Sequence, residues 1–184
     1  MDLLDPLAQT FDHATKVLGG VTPDRLDAPT PCTEWNLGAL VGHVVGVVTN
    51  MGLGARGETL LPDINDVPLE PDVAHQFRGI ADGTLAAWRA QPADGTVDVG
   101  AGPMPASLAM SINLVDTATH SWDIARASGQ DGTLPDDLAA TVLTVAEGFL
   151  NDQIRSFAGI DRPVAVAADA SPTDRLVAFL GRRP

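Results

Sequence analysis

Two imidazoles and one carboxylate are the groups in this sequence whose types and spacing best suit chemistry. Asp116 and His120 stand four residues apart in DTATHSWDIAR. On a helix that spacing puts both side chains on one face, one turn apart. His43 lies in an equally apolar run, LVGHVVGVV. A carboxylate on a partly buried stripe is costly unless it is paired or bound to a cation. Spacing leaves two readings open. One is a plain Asp116–His120 pair with His43 as a hydrogen-bonded core residue. The other is a divalent-metal site formed by His43, Asp116 and His120. Three N and O ligands would leave positions open for water, the catalytic arrangement. Zn²⁺, Ni²⁺, Co²⁺ and Fe²⁺ all accept such donors, with zinc the first expectation.

Other residues have narrower roles. Arg126 is the candidate for binding a cofactor or substrate carboxylate, although an Asp123–Arg126 pair on one helix face accounts for it as well. Asp123 is alternatively placed to orient a ligand histidine. Trp35 and Trp122 read as core packing, and His13 and His75 as surface or capping groups. Cys32 follows a proline in a loop, with no basic neighbour in sequence to activate it. No residue is assigned as catalytic.

The elements that position these groups are helical. Leu3, Leu4, Leu7, Phe11, Ala14 and Leu18 recur at helical spacing over residues 3–18, and Gly19-Gly20 ends the run. Thr22-Pro23 suits the start of a short helical turn. Asn36 is an N-cap for a second helix over 37–51, apolar on nearly every face and therefore buried. Residues 52–71, rich in Gly, Pro and Asp, read as a long loop of the kind that carries function or moves. A third helix spans 72–90, and residues 96–100 alternate as a short strand before a Gly-Pro turn. The fourth helix, 105–127, carries Asp116 and His120 and stops at Gly129. A fifth runs from 135 to 157, residues 164–166 form a small strand, and Ser171 begins a last helix closed by Gly181. The fold class is mostly α, a bundle of four or five helices in one domain, 1–184.

Composition narrows the partners. The 184 residues carry 24 acids against 11 bases, a net charge of −13. Such a surface repels phosphate backbones, so nucleic acid is not an expected partner. Absent tyrosine and 4% aromatics remove base-stacking platforms. The single cysteine excludes an internal disulfide and a multi-cysteine zinc site. No signal peptide and no uncharged apolar run of about 18 residues is evident, so a cytoplasmic protein with no membrane partner is expected.

Two segments carry a resemblance. TPCTEWNLGALVGHVVG, with Thr-Pro-Cys, Trp and then a helical histidine, is similar to the start of the mycothiol-dependent maleylpyruvate isomerase N-terminal family, within the DinB-like group of metal-binding bundles. LVDTATHSWDIARASGQ resembles that family's second signature: an acid or amide, three residues, then His, Trp and Asp. The tail ADASPTDRLVAFLGRRP resembles the ending of a short actinobacterial branch. The match runs through nearly the whole chain in order.

The resemblance implies a DinB-like four-helix bundle, with short extra helix and strand elements at the C-terminus and a metal where its helices meet. It places His43, Asp116 and His120 on the family's three ligand positions. The family's characterised isomerase has Glu where this chain has Asp116, shorter by one methylene. The implied activity is thiol-dependent: a thiol such as mycothiol binds the metal, its pKa falls, and the thiolate attacks a small electrophile. That isomerase has a further C-terminal domain for which this chain leaves no room, so maleylpyruvate isomerisation itself is not expected. A homodimer is implied by related bundles. The alternative is a non-catalytic metal- or ligand-binding module with a structural or sensory site.

Overall fold

Leu7, Phe11, Ala14 and Leu18 line one face of the first helix, and all four are buried. That face is the floor on which a computed structural model of the chain is assembled. The structure describes residues 2–33, 35–92 and 94–184. Four helices form the bundle: α1 (Leu4–Leu18), α2 (Leu37–Ala55), α3 (Val73–Ala90) and α4 (Ala106–Ser128). They pack as a ring in which α1 touches α3 and α4, and α2 touches the same two. Phe11 and Phe77 meet edge to face at 5.9 Å across the α1–α3 contact.

Asn36 caps α2 by accepting a hydrogen bond from the Ala39 amide at 2.9 Å, as its residue type predicts. The helix then runs one turn beyond the expected end at residue 51. Gly52 is the reason: a Cβ there would lie 2.5 Å from the Thr84 hydroxyl of α3. Glycine lets the two backbones close, and the burial gained outweighs its poor helix propensity. α2 is also long and apolar enough in composition to cross a membrane, contrary to the sequence expectation, yet most of it is buried inside the bundle.

The remaining elements depart from expectation in three places. Residues 96–98 form strand β1 (Thr96–Asp98), but it pairs antiparallel with β2 (Pro103–Pro105), where only a turn was expected. The long fifth helix is two: α5 (Asp136–Phe149) and α6 (Asp152–Ala158). Asn151 divides them, because its side chain accepts from the Ile154 amide at 2.9 Å and starts a new helix there. Residues 164–166 form no strand and instead run beside α7 (Pro172–Phe179), the Val164 amide bonding the Ala178 carbonyl at 2.9 Å. The C-terminal additions are therefore helical, and the two strands lie between α3 and α4. α5 packs on α4, and α7 on α5.

Candidate metal centre

His43 lies near the middle of α2, and Asp116 and His120 one turn apart on α4. Packing of these two helices brings the three groups together. Asp116 Oδ1 is 3.7 Å from His43 Nε2 and 3.5 Å from His120 Nε2. One donor atom of each residue lies within 4.8 Å of the other two. Ligands about 2.0–2.2 Å from a tetrahedral ion are separated by about 3.3–3.6 Å, close to the separations from Asp116. Both histidines are buried, while the Asp116 side chain keeps 22% of its surface exposed.

The other ring nitrogens are taken. His43 Nδ1 donates to Asn65 Oδ1 at 3.0 Å, and His120 Nδ1 donates to Asp123 Oδ2 at 3.0 Å. An acceptor at Nδ1 fixes the proton there and leaves Nε2 with a bare lone pair. Both bare nitrogens face the Asp116 carboxylate. Asp116 Oδ2 is itself buried and has no hydrogen-bond partner among the described residues. These are the features of a cation site, and the donor set of two imidazoles and a carboxylate suits a divalent metal.

Electrostatics agree with that reading. A proton competes for the same Nε2 position: burial alone would lower the His43 pKa, but the hydrogen bond that the protonated ring makes to Asp116, the charge of Asp116 and the Asn65 bond raise it above the ordinary value. Burial alone would raise Asp116, but the neighbouring His120 and His43, with Arg182, hold its carboxyl below the usual range. The site draws positive charge.

Three segments outside the bundle helices build the surroundings. The loop over residues 56–72 supplies Asn65. It is fastened to α2 where the Leu61 amide donates to Asn50 Oδ1 at 2.8 Å, and where Gly46 lets the Ile64 carbonyl approach to 1.8 Å from the position a Cβ would take. The turn before α2 supplies Trp35 and Cys32. Its Thr30 hydroxyl reaches the Cys32 and Trp35 carbonyls, each at 2.8 Å. The Trp35 ring lies 4.3 Å from the His43 ring at 31° and 5.9 Å from that of His120. The tail supplies Arg182. Gly181, at φ 85°, turns the chain beyond α7, and the Arg182 guanidinium grips the fully buried Asp123 carboxylate at 3.0 and 3.3 Å.

Several sequence expectations change accordingly. Asp123 orients a histidine and does not pair with Arg126; its partner is Arg182, 59 residues away. Arg126 is exposed, its guanidinium 5.5 Å from the centre of the Trp122 ring, away from the three converging groups. Trp122 is buried as expected, whereas Trp35 walls the site. Cys32 acquires a basic neighbour that its sequence context lacks, the Arg182 side chain. Its sulfur also lies within 4.8 Å of a ring nitrogen of His120 and a carboxylate oxygen of Asp123. That second group is a poorer cation site, since Arg182 and His120 already occupy both Asp123 oxygens. His75 is exposed in the first turn of α3, its amide capped by Asp72. His13 is half-buried, with no hydrogen-bond partner at Nε2 among the described residues.

Beside Asp116 opens a cavity of about 460 Å³ between α2, α4, the 56–72 loop and the hairpin. Its walls include Val47, Met51, Leu60, Leu61, Met104 and Ile112.

Residues 7–125 match the family model of the mycothiol maleylpyruvate isomerase N-terminal domain. Uncharacterized proteins from two strains of Mycobacterium tuberculosis are each 32% identical to the chain over 190 residues, covering 97% of it and 98% of their own length. Among solved structures, a histidine-to-alanine mutant of the mycothiol-dependent maleylpyruvate isomerase superposes with a TM-score of 0.54 at 18% identity. That match covers 78% of this chain and 68% of the other, and it speaks for a shared fold.

Proposed function

The chain belongs to the mycothiol maleylpyruvate isomerase N-terminal domain family, and on that premise we propose that it is a metal- and thiol-dependent transferase or isomerase acting on a small electrophile. His43, Asp116 and His120 are the residues that would hold the metal. The supporting observation is the convergence of two bare Nε2 atoms on one carboxylate oxygen, with both Nδ1 atoms already bonded. Three lone pairs facing one another repel, and a cation among them turns the repulsion into bonding. A divalent ion, zinc by preference, supplies Lewis acidity there and lowers the pKa of a bound thiol, for which mycothiol is the family's candidate.

The chain's own residues provide orientation and access. Asn65 and Asp123 hold the two imidazoles by their far nitrogens, and Arg182 holds Asp123. Trp35 lies against the His43 ring. The group has three His, Cys, Asp or Glu members among the described residues, which leaves coordination positions for thiol and substrate. The adjoining cavity provides space for an electrophile.

Elemental analysis of protein purified without a metal-affinity tag tests this reading, on wild type and His120→Ala. Near-stoichiometric metal in wild type, lost in the variant, is expected, followed by mycothiol-dependent conversion of an added electrophile. Metal without mycothiol-dependent conversion would favour the non-catalytic, structural or sensory role. A wild type that binds neither Zn²⁺ nor Ni²⁺ would sink the metal site and leave Asp116 and His120 as a structural pair.

A further inference from the structure

We propose that the cavity beside Asp116 is a binding site for an uncharged, largely apolar small molecule, and that it discriminates against dianions. This deepens the functional reading by naming the substrate class of the same site, and it rests on that reading only for the chemistry, not for the binding.

The cavity holds about 460 Å³, within the range of small-molecule sites, and its walls are mainly aliphatic and thioether side chains. Its lining residues include two acids, Asp63 and Asp116, and no Lys, Arg or His. An anion inside would meet two like charges, Asp116 and the exposed Asp63, and no side-chain cation among the described lining residues would offset them.

Three backbone donors at or beside the cavity, the usual substitute for a cation, are committed to the chain's own side chains. Gly100 and Gly102 both have positive φ, a turn that presents successive amides of the sort that cradle anions. Asp98 Oδ1 already accepts from both, at 2.8 and 3.2 Å. The Leu61 amide on the opposite wall is taken by Asn50 at 2.8 Å. A cation held at Asp116 would offset charge at that end alone. A second carboxylate along the aliphatic walls would still find no side-chain cation among the described residues, so the dianion is disfavoured with or without metal.

Two fluorescent probes that share one ring framework test this on the full chain. N-phenyl-1-naphthylamine is neutral, and 8-anilinonaphthalene-1-sulfonate adds a single negative charge. In metal-free wild type the neutral probe is expected to saturate one site, with the sulfonate weaker by on the order of tenfold or more. In Zn²⁺-treated protein, maleate is expected not to displace the neutral probe. Met104→Arg adds a cation to the wall and is expected to narrow or reverse the preference. Val99→Arg does so from the hairpin turn, should the first variant fail to fold.

Equal binding of the two probes, no saturation by the neutral one, or displacement by maleate would overturn the proposal. So would arginine variants that fold and leave the preference unchanged. Zinc content measured on the same samples separates the two readings. Probe discrimination in protein that cannot hold zinc would fail the metal site alone. Zinc-binding protein without discrimination would fail this inference alone.

Discussion

His43 and His120 face the same point, but different parts of the molecule hold them there. His43 leans on a neutral amide, Asn65, carried by a surface loop 22 residues away. His120 leans on a charge, Asp123, which is fully buried and clamped by Arg182 from the tail. A carboxylate behind an imidazole makes it a more basic ligand than an amide does. It also ties that ligand to the stability of the fold, because a buried carboxylate stripped of its partner is expensive. One histidine of the pair can therefore be loosened with little effect on folding, and the other cannot.

Arg182→Leu is the strongest way to break this contrast. It leaves the Asp123 charge buried and uncompensated, and is expected to lower unfolding free energy by about 3–5 kcal/mol in chemical denaturation. A loss below about 1 kcal/mol would mean that Asp123 takes up a proton or water without penalty, and that the tail is not part of the site.

Asn65→Ala probes the other side. Its expected cost is about 10–100-fold in metal affinity, measured by competition with a chromophoric chelator. Unfolding free energy should change by no more than about 0.5 kcal/mol, as for other surface substitutions. A fall in stability matching that of Arg182→Leu would erase the distinction between the two histidines.

His13 gives the smallest effect and serves as a reference: a histidine with no partner at Nε2 among the described residues. Burial, with the charge of Lys16, lowers its pKa despite Asp131. Below about pH 6.5 the unfolded chain takes up a proton at His13 that the folded chain does not. Stability from this group is therefore present above that pH. It is lost as pH falls, until the folded-state pKa is passed. His13→Gln is expected to flatten that part of the stability–pH curve, read from thermal unfolding between pH 7 and 5. An unchanged slope would show that His13 does not contribute to it.

Much of this was legible in the sequence, because it depends on spacing. Apolar residues at i, i+3 and i+4 specify the bundle helices, and Asn36 and Gly129 mark two of their ends through local hydrogen bonding and backbone freedom. The Asp116–His120 spacing puts two donors on one face of α4 whatever packs against it. What the sequence could not assign depends on which distant segments come to rest there. The end of α2 depends on Gly52, which is buried against Thr84 of α3, whereas the break after α5 is a local cap by Asn151.

Local periodicity and short motifs specify the four bundle helices and the family, and they mark His43, Asp116 and His120 as candidate ligands. Only the tertiary structure decided what holds those side chains and what lies beside them. Asn65 sits in a loop without periodicity, Arg182 in a tail where nothing marks it from Arg183, and Cys32 far from both in the chain. Hydrogen bonds and ion pairs depend on distance in space, and chain separation carries no record of it. Thus Arg182, not Arg126, holds Asp123, and the cavity is walled by segments that meet only once the bundle has closed.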